Sequence, residues 1–172
     1  MLAFLKKLIA FILFWSNKKA FFSFIKLNYG KGCRFVGVDR DTFGSEPYLV
    51  TIGDHVTIAE GTRFITHDGG VWVLREKHPD LDVFGKIHIG DNVFIGLNSI
   101  ILPGTIVGNN VVIGAGSVVR GVISGNSVVA GVPAKRICAI DEYEQKKLKI
   151  GLFTKQLSPS EKVKRIKDAF RE

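Results

Sequence analysis

The sequence predicts an all-β protein: a parallel β-helix built from six-residue repeats, with short helical segments at both ends. Three observations carry this. Apolar residues recur every six positions, at Ile52, Ile58 and Phe64 and again at Ile89, Ile95, Ile101, Val107, Ile113 and Val119. Glycine or alanine usually follows, as at Gly53, Ala59, Gly90, Gly96, Gly108 and Gly114. The fifth position of each six is small or β-branched: Val56, Thr62, Val93, Ser99, Thr105, Val111 and Ser117. A period of six fits neither an amphipathic helix, at about 3.6 residues per turn, nor a simple alternating strand. It fits a chain that runs a short strand, turns a corner and repeats, so that three sides close one triangular coil of about 18 residues. The first residue of each six points inward and stacks on its equivalents above and below. β-Branched residues suit such stacked strand positions, and glycine suits corners where backbones approach closely.

Length and charge bound the rest. A chain of 172 residues, 46% hydrophobic and 23% charged, reads as one folded domain with extensions. Its net charge of +8 is unevenly placed. Residues 1–27 hold five lysines and no acid, 28–134 hold eight basic and ten acidic residues, and 135–172 hold eleven basic and six acidic residues. Basic ends meet nucleic acid, an anionic membrane or a phosphorylated ligand. No nucleic-acid motif is present, which leaves a membrane surface and a phosphorylated cofactor. Cys33 and Cys138 lie far apart, outside any metal-like spacing, and read as reduced thiols of a cytoplasmic protein.

Three segments follow: an apolar N-terminal helical segment (1–27), the coil domain (28–139) with a loop at 65–86, and a basic C-terminal helical tail (140–172). The N-terminal apolar run, Leu8 to Trp15, is shorter than the roughly 17–25 residues of a membrane span. No small-x-small cleavage site follows it, as a signal peptide requires. A helix lying in a membrane interface, peripheral to the inner face, or packed on a partner subunit fits the pattern. Packing against the protein's own domain fits equally. In the tail, Ile140 to Gln156 reads as a short helix broken by Gly151. A second helix starts at Ser158, where Ser-Pro-Ser-Glu161 has capping-box spacing and proline at the first helical position.

The repeat breaks between Phe64 and Ile89, which are 25 residues apart, so near twenty residues leave the coil. Loops of that length are often functional. This one carries Val71, Trp72, Val73, Leu74 and Phe84, an apolar set suited to packing on a neighbouring subunit or closing over a ligand. His67 stands where it departs. Imidazole is suited to removing a proton from a hydroxyl near neutral pH. His78 is the second choice of base in the same loop, whereas His55 and His88 flank repeat positions as surface residues. Asp68 or Asp82 is placed to orient the His67 ring, and Trp72 to stack on a sugar or to anchor the loop.

The segments Ile89-Gly-Asp-Asn-Val-Phe, Ile95-Gly-Leu-Asn-Ser-Ile and Ile113-Gly-Ala-Gly-Ser-Val, and the ending Ser127-Val-Val-Ala-Gly-Val-Pro-Ala-Lys135, resemble the hexapeptide-repeat acyltransferases. Within that family the chain is similar to maltose and galactoside acetyltransferases. It looks closer still to O-acetyltransferases of bacterial capsule, exopolysaccharide and lipopolysaccharide assembly, a likeness carried by Gly44-Ser-Glu-Pro-Tyr-Leu and Phe64-Ile-Thr-His-Asp-Gly-Gly-Val-Trp72. The resemblance covers residues 30–140. It implies a left-handed coil, a homotrimer with active sites between subunits, acetyl-coenzyme A as co-substrate with no metal, and a sugar hydroxyl as acceptor. It implies His67 as general base; Asp68, Trp72 and His78, in the same loop, are the candidate residues toward the acceptor. It places Gly96 and Leu97 near the thioester, where a backbone N–H stabilises the oxyanion. Gly114, Ala115 and Ala130 then lie along the pantetheine arm, and Pro133, Lys135 and Arg136 at the adenine and 3′-phosphate end. Relatives usually carry prolines and an acid between the last coils, where this chain has Arg120-Gly-Val-Ile-Ser-Gly-Asn126. The length matches theirs, so the register is kept, and Arg120 adds a phosphate contact. Three alternatives remain: an amino sugar, amino acid or antibiotic as acceptor; a non-catalytic membrane-associated scaffold; and a zinc enzyme on the same coil. His67, His78 and His88 are not spaced as the β-helix carbonic anhydrases require.

Overall fold

The computed structural model describes residues 2–171. Met1 and Glu172, the outer ends of the two expected terminal segments, lie outside the described residues. The chain forms two units, residues 1–140 and residues 141–172.

In the first unit the strands form three parallel sheets, one per face of a triangular coil. The first face holds Asn28–Tyr29, Val50–Ile52, Ile87–Ile89, Ile106–Val107 and Val122–Ile123. The second holds Arg34–Phe35, Thr57–Ile58, Val93–Ile95, Val111–Ile113 and Ser127–Gly131, and ends in the antiparallel strand Ala134–Ala139. The third holds Arg63–Phe64, Ile100–Ile101 and Val118–Val119. Each face contributes one inward column. Ile52, Ile89 and Val107 stack on the first, Ile58, Ile95 and Ile113 on the second, and Phe64, Ile101 and Val119 on the third. All nine are at most 2% exposed, so every residue at the six-residue period is core. The fifth positions are buried as well, and their hydroxyls stay satisfied by bonding back three residues. Thr62, Ser99, Thr105 and Ser117 donate to the carbonyls of Ala59, Gly96, Leu102 and Gly114, which removes the cost of burying an unpaired hydroxyl.

Pairing registers show where the coil is regular. His88 pairs with Ile106 and Val93 with Val111, a separation of 18 residues. Val50 pairs with Ile87 and Arg63 with Ile100, a separation of 37 that accommodates a 19-residue excursion. Pairing continues through Arg120–Asn126, but Ile106 pairs with Val122 and Val111 with Ser127, so that turn closes in 16 residues. The register of the ladder is thus kept while the six-residue period is not: Ile123, four residues after Val119, takes the next inward place.

The corner between the first and second faces is held by a side-chain ladder. His55, Asn92, Asn110 and Asn126 all have φ of 54–56°, the left-handed region that asparagine tolerates better than most residues. His55 Nδ1 lies 2.8 Å from Asn92 Oδ1, and Asn92 and Asn110 donate at 2.8 Å to Asn110 and Asn126. His55 is therefore an exposed rung of a structural ladder, and His88 is exposed on its strand.

An extra coil precedes Ile52. Tyr29, Phe35 and Phe43 continue the three columns, with Phe43 stacked on Phe64 at 5.3 Å. Helices α1 (Leu2–Ser16) and α2 (Lys18–Phe24) close this open end. Asn17 caps α2 by accepting the Ala20 N–H. Phe14, Phe21 and Phe22 are buried, and the Phe22 ring meets those of Tyr29, Phe35 and Phe43 at 4.7–5.8 Å. Of the alternatives for residues 1–27, packing on the protein's own domain holds for this half. The second unit takes in α3 (Ile140–Ile150) from Asp141 onward, which ends before Gly151, and α4 (Pro159–Ala169), which starts at Ser158 with the expected capping box. Cys33 and Cys138 are free thiols.

The segment between Phe35 and Val50 is clamped to the coil. Arg63 donates through both Nη atoms to the two carboxylate oxygens of Asp39, at 3.0 and 2.7 Å, and the Thr42 hydroxyl adds a third bond. Burial pushes the Asp39 carboxyl up, but the hydrogen bonds from Arg63 and Thr42 and the Arg63 charge outweigh it and hold the group below its ordinary value. A depressed folded-state pKa stabilises above the ordinary carboxylate range and is lost as pH falls through the lowered value. Asp39→Asn should therefore be less stable than the parent at neutral pH, with the difference closing on acidification in denaturant titrations at several pH values. Phe64→Ala should cost about 3–5 kcal/mol, as for other buried aromatic truncations, and the same titrations at pH 7 check it.

Candidate functional site

His67 lies at the corner between the third and first faces. The Ile65 N–H still bonds Ile101 O in the ladder, and the chain leaves the coil immediately afterwards. The loop is pinched at its root. His67 and Phe84 form an antiparallel bridge, Asp68 N–H donates to Val83 O, and Gly85 N–H donates to Thr66 O, each at 2.9 Å. Inside the loop a 3₁₀ turn, Gly69–Leu74, is capped by Asp68, whose carboxylate accepts the Gly70 N–H. Arg75 pairs with Asp82.

The same corner one coil below carries Gly44–Leu49. It brings Glu46 against His67: the carboxylate oxygen Oε2 lies 3.0 Å from His67 Nδ1 and accepts the Thr66 hydroxyl at 2.6 Å. Glu46 is 16% exposed and His67 45%. A carboxylate only accepts, so Nδ1 carries the proton in the neutral ring, and the Nε2 lone pair is left open. No described residue engages Nε2. The corner's next two levels, Leu102–Gly104 and Arg120–Gly121, join His67, Asp68 and Val83 in lining a cleft of about 570 Å³.

The residue that orients His67 was thus missed by sequence spacing. Neither Asp68 nor Asp82 touches the ring, because one caps the 3₁₀ turn and the other holds Arg75. Asp68 does line the cleft, whereas Trp72 and His78 do not. Trp72 stands 73% exposed on the 3₁₀ turn beside Val73 at 78%, and the His78 N–H is tied to Leu74 O. Glu46 sits 21 residues before His67. The one signal for it was the segment Gly44-Ser-Glu-Pro-Tyr-Leu, which stood out as a unit but offered no pairing rule.

The donor-side residues gather at another corner, between the second and third faces. Gly96 N–H donates to Ile113 O and Gly114 N–H to Val129 O, so Gly96, Gly114 and Ala130 stack in one column. The stacking requires glycine at positions 96 and 114. A Cβ on Gly96 would lie 2.5 Å from Ala115 N, and one on Gly114 would lie 2.8 Å from the Ala130 Cβ. Leu97 and Ala115 are exposed beside this column. At its end the chain reverses through Val132-Pro133, a cis peptide, and pairs Ala130 with Lys135 and Val129 with Arg136. The ladder uses the Gly96 N–H, whereas the exposed Leu97 and Ala115 amides have no described backbone partner. Arg120, expected near the donor phosphates, instead lines the cleft with His67. The residues expected to meet the donor gather at one corner and His67 with Asp68 at another, while Trp72 and His78 line neither the His67 cleft nor that column. Among the described residues, no group of three His, Cys, Asp or Glu side chains is placed to hold a metal ion.

Comparison with known proteins matches this architecture. Residues 86–120 match the hexapeptide repeat of succinyl-transferase. Protein CapG of Staphylococcus aureus is 50% identical over 143 residues, which cover 83% of each chain. WbbJ of Escherichia coli K12, provisionally named a lipopolysaccharide biosynthesis O-acetyl transferase, is 43% identical over 96 residues. That match covers 51% of this chain and about half (49%) of WbbJ. Among solved structures, the hexapeptide-repeat-containing acetyltransferase VCA0836 of Vibrio cholerae superposes with a TM-score of 0.54 at 28% identity, over 67% of this chain and 63% of that one. With its parallel three-faced coil, glycine-stacked corner and terminal hairpin, the chain belongs to the hexapeptide-repeat acyltransferases and has their left-handed β-helix fold.

Proposed function

We propose that the protein transfers an acetyl group from acetyl-coenzyme A to a sugar hydroxyl in the cytoplasm, during assembly of a cell-surface polysaccharide. The observation that carries this reading is the Glu46–His67 pair at the rim of a cleft, with Nε2 open. The acetyl donor is supported by a second VCA0836 structure, a complex with acetyl-coenzyme A that has a TM-score of 0.53. The acceptor class is supported by the name of WbbJ and by the likeness of Gly44–Leu49 and Phe64–Trp72.

His67 Nε2 takes the acceptor hydroxyl proton as the oxygen attacks the thioester carbonyl, and Glu46 steadies the imidazolium that forms. The Leu97 N–H faces the developing oxyanion. The C–S bond then breaks, and the proton passes from His67 to the departing thiolate. Lys135 and Arg136 offer cations for the donor phosphates.

One chain holds the base and the donor column at separate corners, so we infer a homotrimer in which His67 of one copy meets the Gly96–Ala130 column of the next. Trp72, Val73, Leu74 and Phe84, all substantially exposed on the excursion from the coil, supply an apolar face for that neighbour.

His67→Ala should lower acetyl transfer by about 10²–10⁴-fold, the usual contribution of a general base, while calorimetry still records acetyl-coenzyme A binding. Undiminished turnover would remove His67 as the base. Glu46→Gln should lower kcat, by up to about 10⁴-fold as when the carboxylate orienting a general-base histidine becomes an amide, with KM for acetyl-coenzyme A unchanged in steady-state kinetics.

A further inference from the structure

The structure turns one apolar face of α1 away from the protein. Phe4, Leu8, Phe11 and Trp15 follow one another at helical spacing, with Leu5 and Ile12 beside them. All six are exposed, Phe4 and Trp15 at 74% each. The opposite face, Ala10, Leu13 and Phe14, packs on the coil's aromatic end. The helix is thus held with its larger apolar face outward, and its own domain already occupies the other. Six large apolar side chains on one arc are more than scattered surface residues account for.

Charge decides what covers this face. Residues 1–27 carry five lysines and no acid. Lys18 lies over the Phe14 ring at 5.5 Å, and Arg40, from the neighbouring loop, lies over the Phe11 ring at 5.2 Å. Beside α1 a cleft of about 580 Å³ is lined by Lys7, Lys26 and Arg40 with Phe24 and Tyr48, and Asp41 is the one carboxylate among its lining residues. A second copy of this segment would bring like charge against like charge. An anionic surface is attracted, each lysine near it strengthening binding roughly fivefold. At 15 residues α1 is about 22 Å long, and no described helix is long and apolar enough to cross a membrane. Such a helix lies in the interface plane.

We propose that α1 docks the protein on an anionic lipid bilayer. Its outer face enters the headgroup boundary, and Lys7, Lys26 and Arg40 take a lipid phosphate in the adjoining cleft. This inference goes beyond the acyl-transfer reading and does not depend on it.

The test is co-sedimentation of the full chain with vesicles of phosphatidylglycerol and phosphatidylcholine, and with phosphatidylcholine alone. The parent should partition onto the anionic vesicles and be released by salt. The double substitution Leu8→Glu, Ile12→Glu should weaken partition by at least about tenfold, with acetyl-coenzyme A binding unchanged. A second measurement leaves the face intact: in a Trp72→Phe background, Trp15 is the sole tryptophan, and its emission should shift to the blue with anionic vesicles. A parent that stays in the supernatant, a double variant that binds as before, or an unshifted Trp15 would overturn the proposal. So would dissociation of the assembly by the double substitution in sedimentation velocity, because the occupant would then be a second copy.

Discussion

Stacking of the three inward columns constrains everything else in the coil. Each column is a line of buried aliphatic and aromatic side chains held at the spacing of a parallel ladder, about 4.8 Å. A residue inserted within a face would reverse every inward side chain beyond it, so extra chain can leave only at corners. Both excursions at the corner between the third and first faces obey that rule: residues 44–49, and the longer one rooted at His67. They occupy the same corner one coil apart, which is how Glu46 comes to lie 3.0 Å from a ring 21 residues away in sequence.

The three corners consequently divide the work. One is a ladder of His55, Asn92, Asn110 and Asn126, each bonded to the next, and is structural. The second is a column in which Gly96 and Gly114 bring successive coils closer than a Cβ at either position allows, beside which Leu97 and Ala115 stay exposed. The third releases the chain into loops and gathers a histidine, a carboxylate and an arginine around a cleft. In the proposed mechanism, a thioester beside the second corner and a base at the third do not meet within one chain. The proposed threefold assembly answers that separation with nothing beyond the coil's own geometry.

The regular part of this architecture was legible because each position had a single physical demand. Inward residues had to be apolar, and every one from Ile52 to Val119 at the six-residue period is buried. The capping box at Ser158 was legible for the same reason: a local spacing with a local bond. The first coil was not. Its columns are aromatic, and although Tyr29 and Phe35 keep the six-residue step, Phe43 stands eight residues after Phe35, so the period was broken after one step. The last turn was obscured by its shortening to 16 residues. The partner of His67 was illegible for a different reason. Asp68 and Asp82 were the carboxylates the loop offered, but local geometry commits the first to a turn cap and the second to Arg75. Glu46 reaches the ring only through the stacking of corners, a relation that exists in the folded coil and not along the chain.

The central claim, that the transferring site is completed between copies, is tested most directly by mixing two inactive variants. One lacks the base, His67→Ala; the other has the donor groove filled at the exposed Ala115, Ala115→Trp. Refolded together in equal amounts, random trimers hold about one intact base–groove pairing in four, so acetyl transfer should return to about a quarter of the parent rate. Mixed trimers that form but recover no activity would contradict the account, since each chain would then have to supply both halves of its own site.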